Sequence, residues 1–352
     1  MSAATQSAVR SALVKARALV PGLLVTALVA MAAAFLGSHY QGSMLLFALL
    51  LGLALHFISE DLRCAAGIQF ASGTVLRLGV ALLGLRLTVG NVVELGWHTV
   101  LALLVAVALT IALGLLLARM LRVEGSLGLL VGGATAICGA SAALAIASVL
   151  PKTPHLERDT TLTIVGVTTL STVAMVSYPL LTQWLGFDAV MAGKFIGATI
   201  HDVAQVVGAG YSLSPAAGDA ATITKLMRVA FLLPVLLVIS VVVRGRMLKA
   251  DGTDGNAALA GAEGSNRTPL LPWFIAVFAG LLLLGSTGWV PAGVKDAASS
   301  VSQAFLVLAI AAVGLKTSLR DVTQLGWRPV AMTVLVTVGL AGMTAAYIFV
   351  TR

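Results

Sequence analysis

Apolar residues run along this chain in long stretches and do not alternate with polar ones. A bilayer core about 30 Å thick needs roughly 20 apolar residues in a helix. About eleven such runs can be read, near 19–36, 43–59, 65–88, 96–118, 126–150, 160–184, 190–211, 221–243, 270–290, 300–316 and 330–350. Their length and uniform apolarity predict helices, because barrel strands would alternate. Polar or helix-breaking joints separate several of them, including Glu60-Asp61, Pro151-Lys152-Thr153-Pro154 and Pro291. The longest polar stretch, 244–268, is rich in Gly, Asp, Asn and Ala and reads as a flexible loop. The expected organisation is therefore an N-terminal segment 1–18, a membrane block 19–243, a linker 244–268 and a second membrane block 269–352, forming one integrated transport domain.

Composition narrows the class. Of 352 residues 59% are hydrophobic and 10% charged, whereas a soluble domain carries about 25% charged residues. That excludes a cytosolic enzyme and a disordered regulator. Two cysteines, Cys64 and Cys138, allow at most one bridge, so a disulfide scaffold is excluded as well. The net charge of +8 does not point to nucleic acid, because the basic residues sit between apolar runs and not on one soluble face. Their distribution sets orientation instead. With a cytoplasmic N-terminus the inner segments hold Arg10, Lys15, Arg17, Arg63, Arg119, Arg122, Arg244, Arg246, Lys249, Arg267, Arg320 and Arg328. The outer side keeps Arg86, Lys152, Arg158, Lys295 and Arg352, so the C-terminus is expected to be periplasmic.

An internal repeat adds a functional hint. The stretch 84–97, Gly-Leu-Arg-Leu-Thr-Val-Gly-Asn-Val-Val-Glu-Leu-Gly-Trp, matches 314–327, Gly-Leu-Lys-Thr-Ser-Leu-Arg-Asp-Val-Thr-Gln-Leu-Gly-Trp, without a gap. Two interfacial turns can converge on Trp and basic residues, but identical spacing over the whole stretch argues for a true repeat. The runs that carry the copies are seven apart and so cross in opposite senses, which makes the repeat inverted. Inverted repeats mark secondary transporters that move around a midplane site.

Two runs carry polar and glycine-rich centres. The fifth contains Gly132-Gly133-Ala134-Thr135-Ala136-Ile137-Cys138-Gly139-Ala140-Ser141. These residues weaken a helix and predict a break, with Ser141 capping a second half whose free N–H groups can bind an anion. Tight packing through Gly128 and Gly132 is the simpler alternative. The seventh contains Gly197-Ala198-Thr199-Ile200-His201-Asp202-Val203-Ala204-Gln205. Ionisable groups at this depth are costly unless paired. His201 and Gln205 share a face at i,i+4, and a His201–Asp202 pair suits proton coupling. The plainer reading has Asp202 capping a helix and His201 bonding a carbonyl. Arg77 lies beyond snorkelling reach, with Gly73 and Gly84 leaving room on its face. Arg77 and Arg228 are candidates for an oxyanion clamp. Lys225 reads as an interfacial snorkelling residue, and no Cys/His set has metal spacing.

At 77–87, 135–142, 197–206 and 225–228 the chain resembles the YeiH-type sulfate exporter family of bacterial inner-membrane proteins, and the likeness covers nearly all of the membrane part. The resemblance implies a multi-helix transporter related to cation:proton antiporters and bile-acid symporters, with sulfate, sulfite or a related sulfur oxyanion as cargo. Few acidic residues lie inside the runs, which argues against an Asp-pair cation exchanger.

The resulting expectation is an all-α membrane protein of about eleven transmembrane helices, with an inverted repeat and two discontinuous helices. It would act as a secondary transporter of a small anion, not as an enzyme. Arg77, Thr135, Gly139, Ser141, Thr199, Gln205 and Arg228 would bind the anion, and His201 and Asp202 would couple protons. No cofactor, metal or nucleic acid is expected. The coupling ion stays open between proton and sodium, as does a homodimer. Two alternatives compete: an intramembrane serine hydrolase using Ser141 and His201, and an anion channel.

Overall fold

The structure is a computed structural model describing residues 3–40, 43–94, 96–250, 273–317 and 326–351. Most of the linker 244–268 and the middle of the second repeat copy lie outside the described residues. The described chain forms helices and no strand. In order they are α1 (Ala3–His39), α2 (Met44–Ala54), α3 (Leu62–Phe70), α4 (Leu76–Leu83), α5 (Val89–Glu94), α6 (Trp97–Met120), α7 (Gly125–Ala136) and α8 (Ala140–Val149). There follow α9 (Leu156–Trp184), α10 (Ala189–Thr199), α11 (Val203–Leu213), α12 (Pro215–Ala230), α13 (Leu232–Ala250), α14 (Trp273–Ser286), α15 (Ala292–Lys316) and α16 (Trp327–Thr351). A π-helical turn, Ala71–Val75, joins α3 to α4. Seven stretches are long and apolar enough to cross a bilayer: Arg17–His39, Leu62–Leu83, Trp97–Met120, Leu156–Trp184, Pro215–Val243, Ala292–Lys316 and Trp327–Thr351. The chain is an all-α membrane protein.

The two ends of the bundle can be told apart by what gathers there. Arg122, Leu127, His155, Arg158, Trp327 and Arg328 line one hollow. Gly37, Ser43, Arg86, Tyr211 and Pro215 line another. We call these the Arg122 end and the Arg86 end. The first repeat copy thus sits at the Arg86 end, and Trp327 of the second sits at the Arg122 end, as inversion requires. Arg86 pairs with Asp219 at 3.5 Å and lies over the Tyr211 ring.

Both glycine-rich runs break where the sequence places the breaks, and each break also reverses the chain. A methyl group at Gly133 in α7 would collide with the Ile146 side chain in α8, and Ala134 packs with Ala143 and Val167. Residues thirteen apart in one straight helix lie about 20 Å apart, so α7 and α8 form a hairpin. Its two ends, Leu127 and the joint leading to His155, meet at the Arg122 end. In the same way Gly193 of α10 and Gly210 of α11 both lie against Ala217 and Ala221 of α12. That second hairpin enters from the Arg86 end, where Tyr211 and Pro215 emerge. One correction follows. Arg158 and the Lys152 joint are not across the membrane from Arg122; Arg158 shares its hollow, because the hairpin returns the chain to the side it left.

Close helix contact holds the bundle, since lipid supplies no hydrophobic drive between helices. Gly52 of α2 lies against Gly314 of α15, and Gly114 of α6 against Gly128 and Gly132 of α7. Caps secure the second hairpin: Asp188 accepts from Met191 N at 2.8 Å, and Ser214 accepts from Ala217 N ahead of Pro215. Threonine hydroxyls inside the helices bond carbonyls one turn back, as Thr26 to Gly22 and Thr163 to Asp159 do.

Candidate functional site

The site is built where the two hairpin tips meet. α7 ends at Ala136, Ile137 leaves helical geometry, and the chain turns through Gly139 at φ +67°, a conformation that side chains with a Cβ rarely adopt. The Gly139 N–H donates to Ala134 O at 2.8 Å, closing α7, and its carbonyl accepts from Ala143 N at 3.0 Å, opening α8. Gly139 is the cap of α8, so the expected cap Ser141 instead sits in the first turn, with its side chain exposed. The second tip needs no glycine. Ile200 and Asp202 are extended, and the Asp202 carboxylate caps α11 by accepting from Ala204 N at 2.8 Å. Gly139 of one tip lies beside His201 of the other.

Two basic side chains from α12 tie the tips together. Lys225 Nζ donates to Ile137 O at 2.7 Å and to Ile200 O at 2.9 Å, one carbonyl from each hairpin. Arg228 does the same on a larger scale. Its Nε donates to Ala136 O at 2.8 Å and its Nη2 to Thr135 O at 2.7 Å, while its Nη1 reaches Gly197 O at 3.2 Å and Ile200 O at 3.4 Å. These carbonyls are the orphan acceptors at the C-terminal ends of α7 and α10, where the helix dipole is negative. Lys225 and Arg228 are both fully buried, and among the described residues no carboxylate lies within ion-pair distance of either. Burying unpaired charge costs several kcal/mol or more, so the five carbonyls are what make the arrangement tenable. Each hydrogen bond to a charged group contributes about 1.5–3 kcal/mol.

Several buried polar atoms around the tips have no hydrogen-bond partner among the described residues: Thr135 Oγ1, His201 Nδ1, Gln205 Oε1 and Thr224 Oγ1. Such groups are uncommon and point to a ligand or water. His201 Nε2 meets Thr337 Oγ1 of α16 at 3.0 Å, and Gln205 Nε2 donates to Thr172 Oγ1 of α9 at 2.7 Å.

The sequence-predicted residues therefore divide. Thr135, Gly139, His201, Gln205 and Arg228 come together at the tips. Thr199 is buried nearby, its hydroxyl spent on Phe195 O at 2.6 Å. His201 and Gln205 do not share a helix face, because His201 lies in the break and α11 starts only at Val203, which sends the two to different neighbours. Nor do His201 and Asp202 pair: Asp202 caps α11, and its N–H donates to Ser171 Oγ at 3.1 Å. The two-guanidinium clamp is not formed either. Arg228 is enclosed with its donors engaged, and Arg77 is exposed after the π-helical turn. Lys225 is not interfacial but central. The two tips share a short sequence signal. Gly-Ala-Thr occurs at 133–135 and again at 197–199, just before each tip.

Comparison with known proteins agrees with a membrane protein. The family described as Conserved hypothetical protein 698 matches residues 21–333. The UPF0324 membrane protein CT0845 of Chlorobaculum tepidum is 48% identical over 322 residues, covering 91% of this chain and 87% of that one. The UPF0324 membrane protein TauZ of Paracoccus pantotrophus is 48% identical over 327 residues, covering 93% and 94%. The UPF0324 membrane protein RB0971 of Rhizobium meliloti is 48% identical over 321 residues, covering 91% and 90%. No solved structure matches the chain. With near full-length identity of this order, the chain belongs to the UPF0324 family of membrane proteins, the Conserved hypothetical protein 698 family.

Proposed function

We propose that the protein is a secondary active transporter of a small anion, a sulfur oxyanion such as sulfate or sulfite, working by alternating access and not as an enzyme. The observation that carries this reading is the pair of basic side chains, Lys225 and Arg228, buried at the meeting point of two opposed hairpins with no carboxylate among the described residues within ion-pair distance. Such a centre attracts an anion in a low-dielectric setting. The first turn of α8, with the exposed Ser141, offers backbone N–H donors, and Thr135, His201 and Gln205 offer unpartnered side-chain atoms. Discontinuous helices meeting at mid-depth are a common form of transporter binding site. His201 and Asp202, each acting separately, would couple protons. The Arg122 end would be cytoplasmic in the bacterial inner membrane, because basic residues gather there. That puts the N-terminus inside and the C-terminus in the periplasm.

The hydrolase reading is less well supported, because Ser141 is exposed whereas His201 is enclosed and bonded to Thr337. The test is uptake of radiolabelled sulfate and sulfite into proteoliposomes. Saturable uptake driven by a proton or counter-anion gradient is expected. Non-saturating flux would identify a channel, and covalent capture of Ser141 by a serine-directed probe would identify a hydrolase.

A further inference from the structure

Unwound carbonyls and helix C-terminal ends at mid-membrane are the groups with which transporters of this general kind hold a coupling cation. Here the carbonyls of Ile137 and Ile200, one from each hairpin, converge on Lys225 Nζ at 2.7 and 2.9 Å. Those of Ala136 and Gly197 converge on Arg228. We propose that Lys225 and Arg228 are resident cations that occupy the place of a bound metal ion, so that transport needs no sodium.

Three features support this. Lys225 and Arg228 both bridge the same two helix ends, so each holds the hairpins in register as a shared ion would. Both are fully buried and direct their donors at these carbonyls, so the carbonyls need no further cation. Both come from α12 and are fixed by a covalent chain, so they cannot be carried across and released. The coupling ion, left open by the sequence between proton and sodium, is thereby narrowed to a proton or a counter-anion. This inference rests on the transporter reading only in its consequence for uptake; the occupancy of the carbonyl cage stands apart from the cargo.

The test uses purified full-length protein and has two arms. Thermal unfolding is measured in sodium chloride and in choline chloride at equal ionic strength, for the wild type and for Lys225→Ala. The wild type should melt at the same temperature in both salts. Lys225→Ala, whose cage is vacated, should melt lower in choline and be raised by sodium. A wild-type melting temperature raised by sodium, or a folded Lys225→Ala protein indifferent to it, overturns the proposal. The second arm compares wild-type anion uptake into proteoliposomes with sodium and with choline. Equal rates are expected, and loss of uptake in choline overturns the proposal. If Lys225→Ala does not fold, the wild-type comparisons still decide. If no anion is transported in either salt, the transporter reading fails while the thermal arm still reports on the cage.

Discussion

Replacing Gly197 by Ala tests whether the second hairpin is held to α12 by backbone contact. The added methyl group would be directed at the Ala221 carbonyl and the Cβ of Thr224. Neither is the free end of a flexible side chain, so α10 or α12 must move. Overpacking of this kind costs typically about 1–3 kcal/mol. Against it stands the better helix propensity of Ala over Gly, about 1 kcal/mol. The net expectation is a loss of up to about 2 kcal/mol, the upper end applying because the contacts are with backbone and a Cβ. The displacement also reaches the site, because the Gly197 carbonyl accepts from Arg228 Nη1 at 3.2 Å. Gly280 in α14 is the control, since it is helical and a methyl group there would meet nothing within 4 Å. Thermal unfolding of both variants in one detergent is the assay. Gly280→Ala should melt at or slightly above the wild type, and Gly197→Ala should melt below it. If Gly197→Ala melts as high as the control, the close α10–α12 approach is wrong, and with it the placing of the second tip.

Two further outcomes are expected. With Cys64 and Cys138 replaced by Ala, single cysteines at Gly125 and Thr153 should both react with a membrane-impermeant maleimide from the same face, because α7 and α8 form a hairpin; labelling from opposite faces would restore a crossing helix. Gly139→Ala forces a side chain into φ +67° and should cost about 1–3 kcal/mol. The check is a lowered melting temperature together with lost anion uptake, and an unchanged melting temperature would show that the reversal does not depend on glycine.

Much of this protein was determined by the order of its residues alone. Runs of about 20 apolar residues can satisfy their backbone in lipid only as helices, so the all-α membrane class follows from hydropathy. Gly139 and the polar group at His201 and Asp202 mark the breaks, because a helix cannot pass through a residue that needs positive φ or through a self-capping Asp without interruption. Periodicity says nothing, however, about where the chain goes after a break. Whether α8 continues α7 or folds back on it depends on the partners each face finds, and Ile146 packing over Gly133 decides it. The same holds for the charges. Sequence distance from a run's end made Lys225 look interfacial and Arg228 look like an open clamp. Only the hairpins, by carrying two sets of unpaired carbonyls to the same depth of the membrane from opposite ends, turn both side chains inward, because an orphan acceptor in lipid has no other donor to meet.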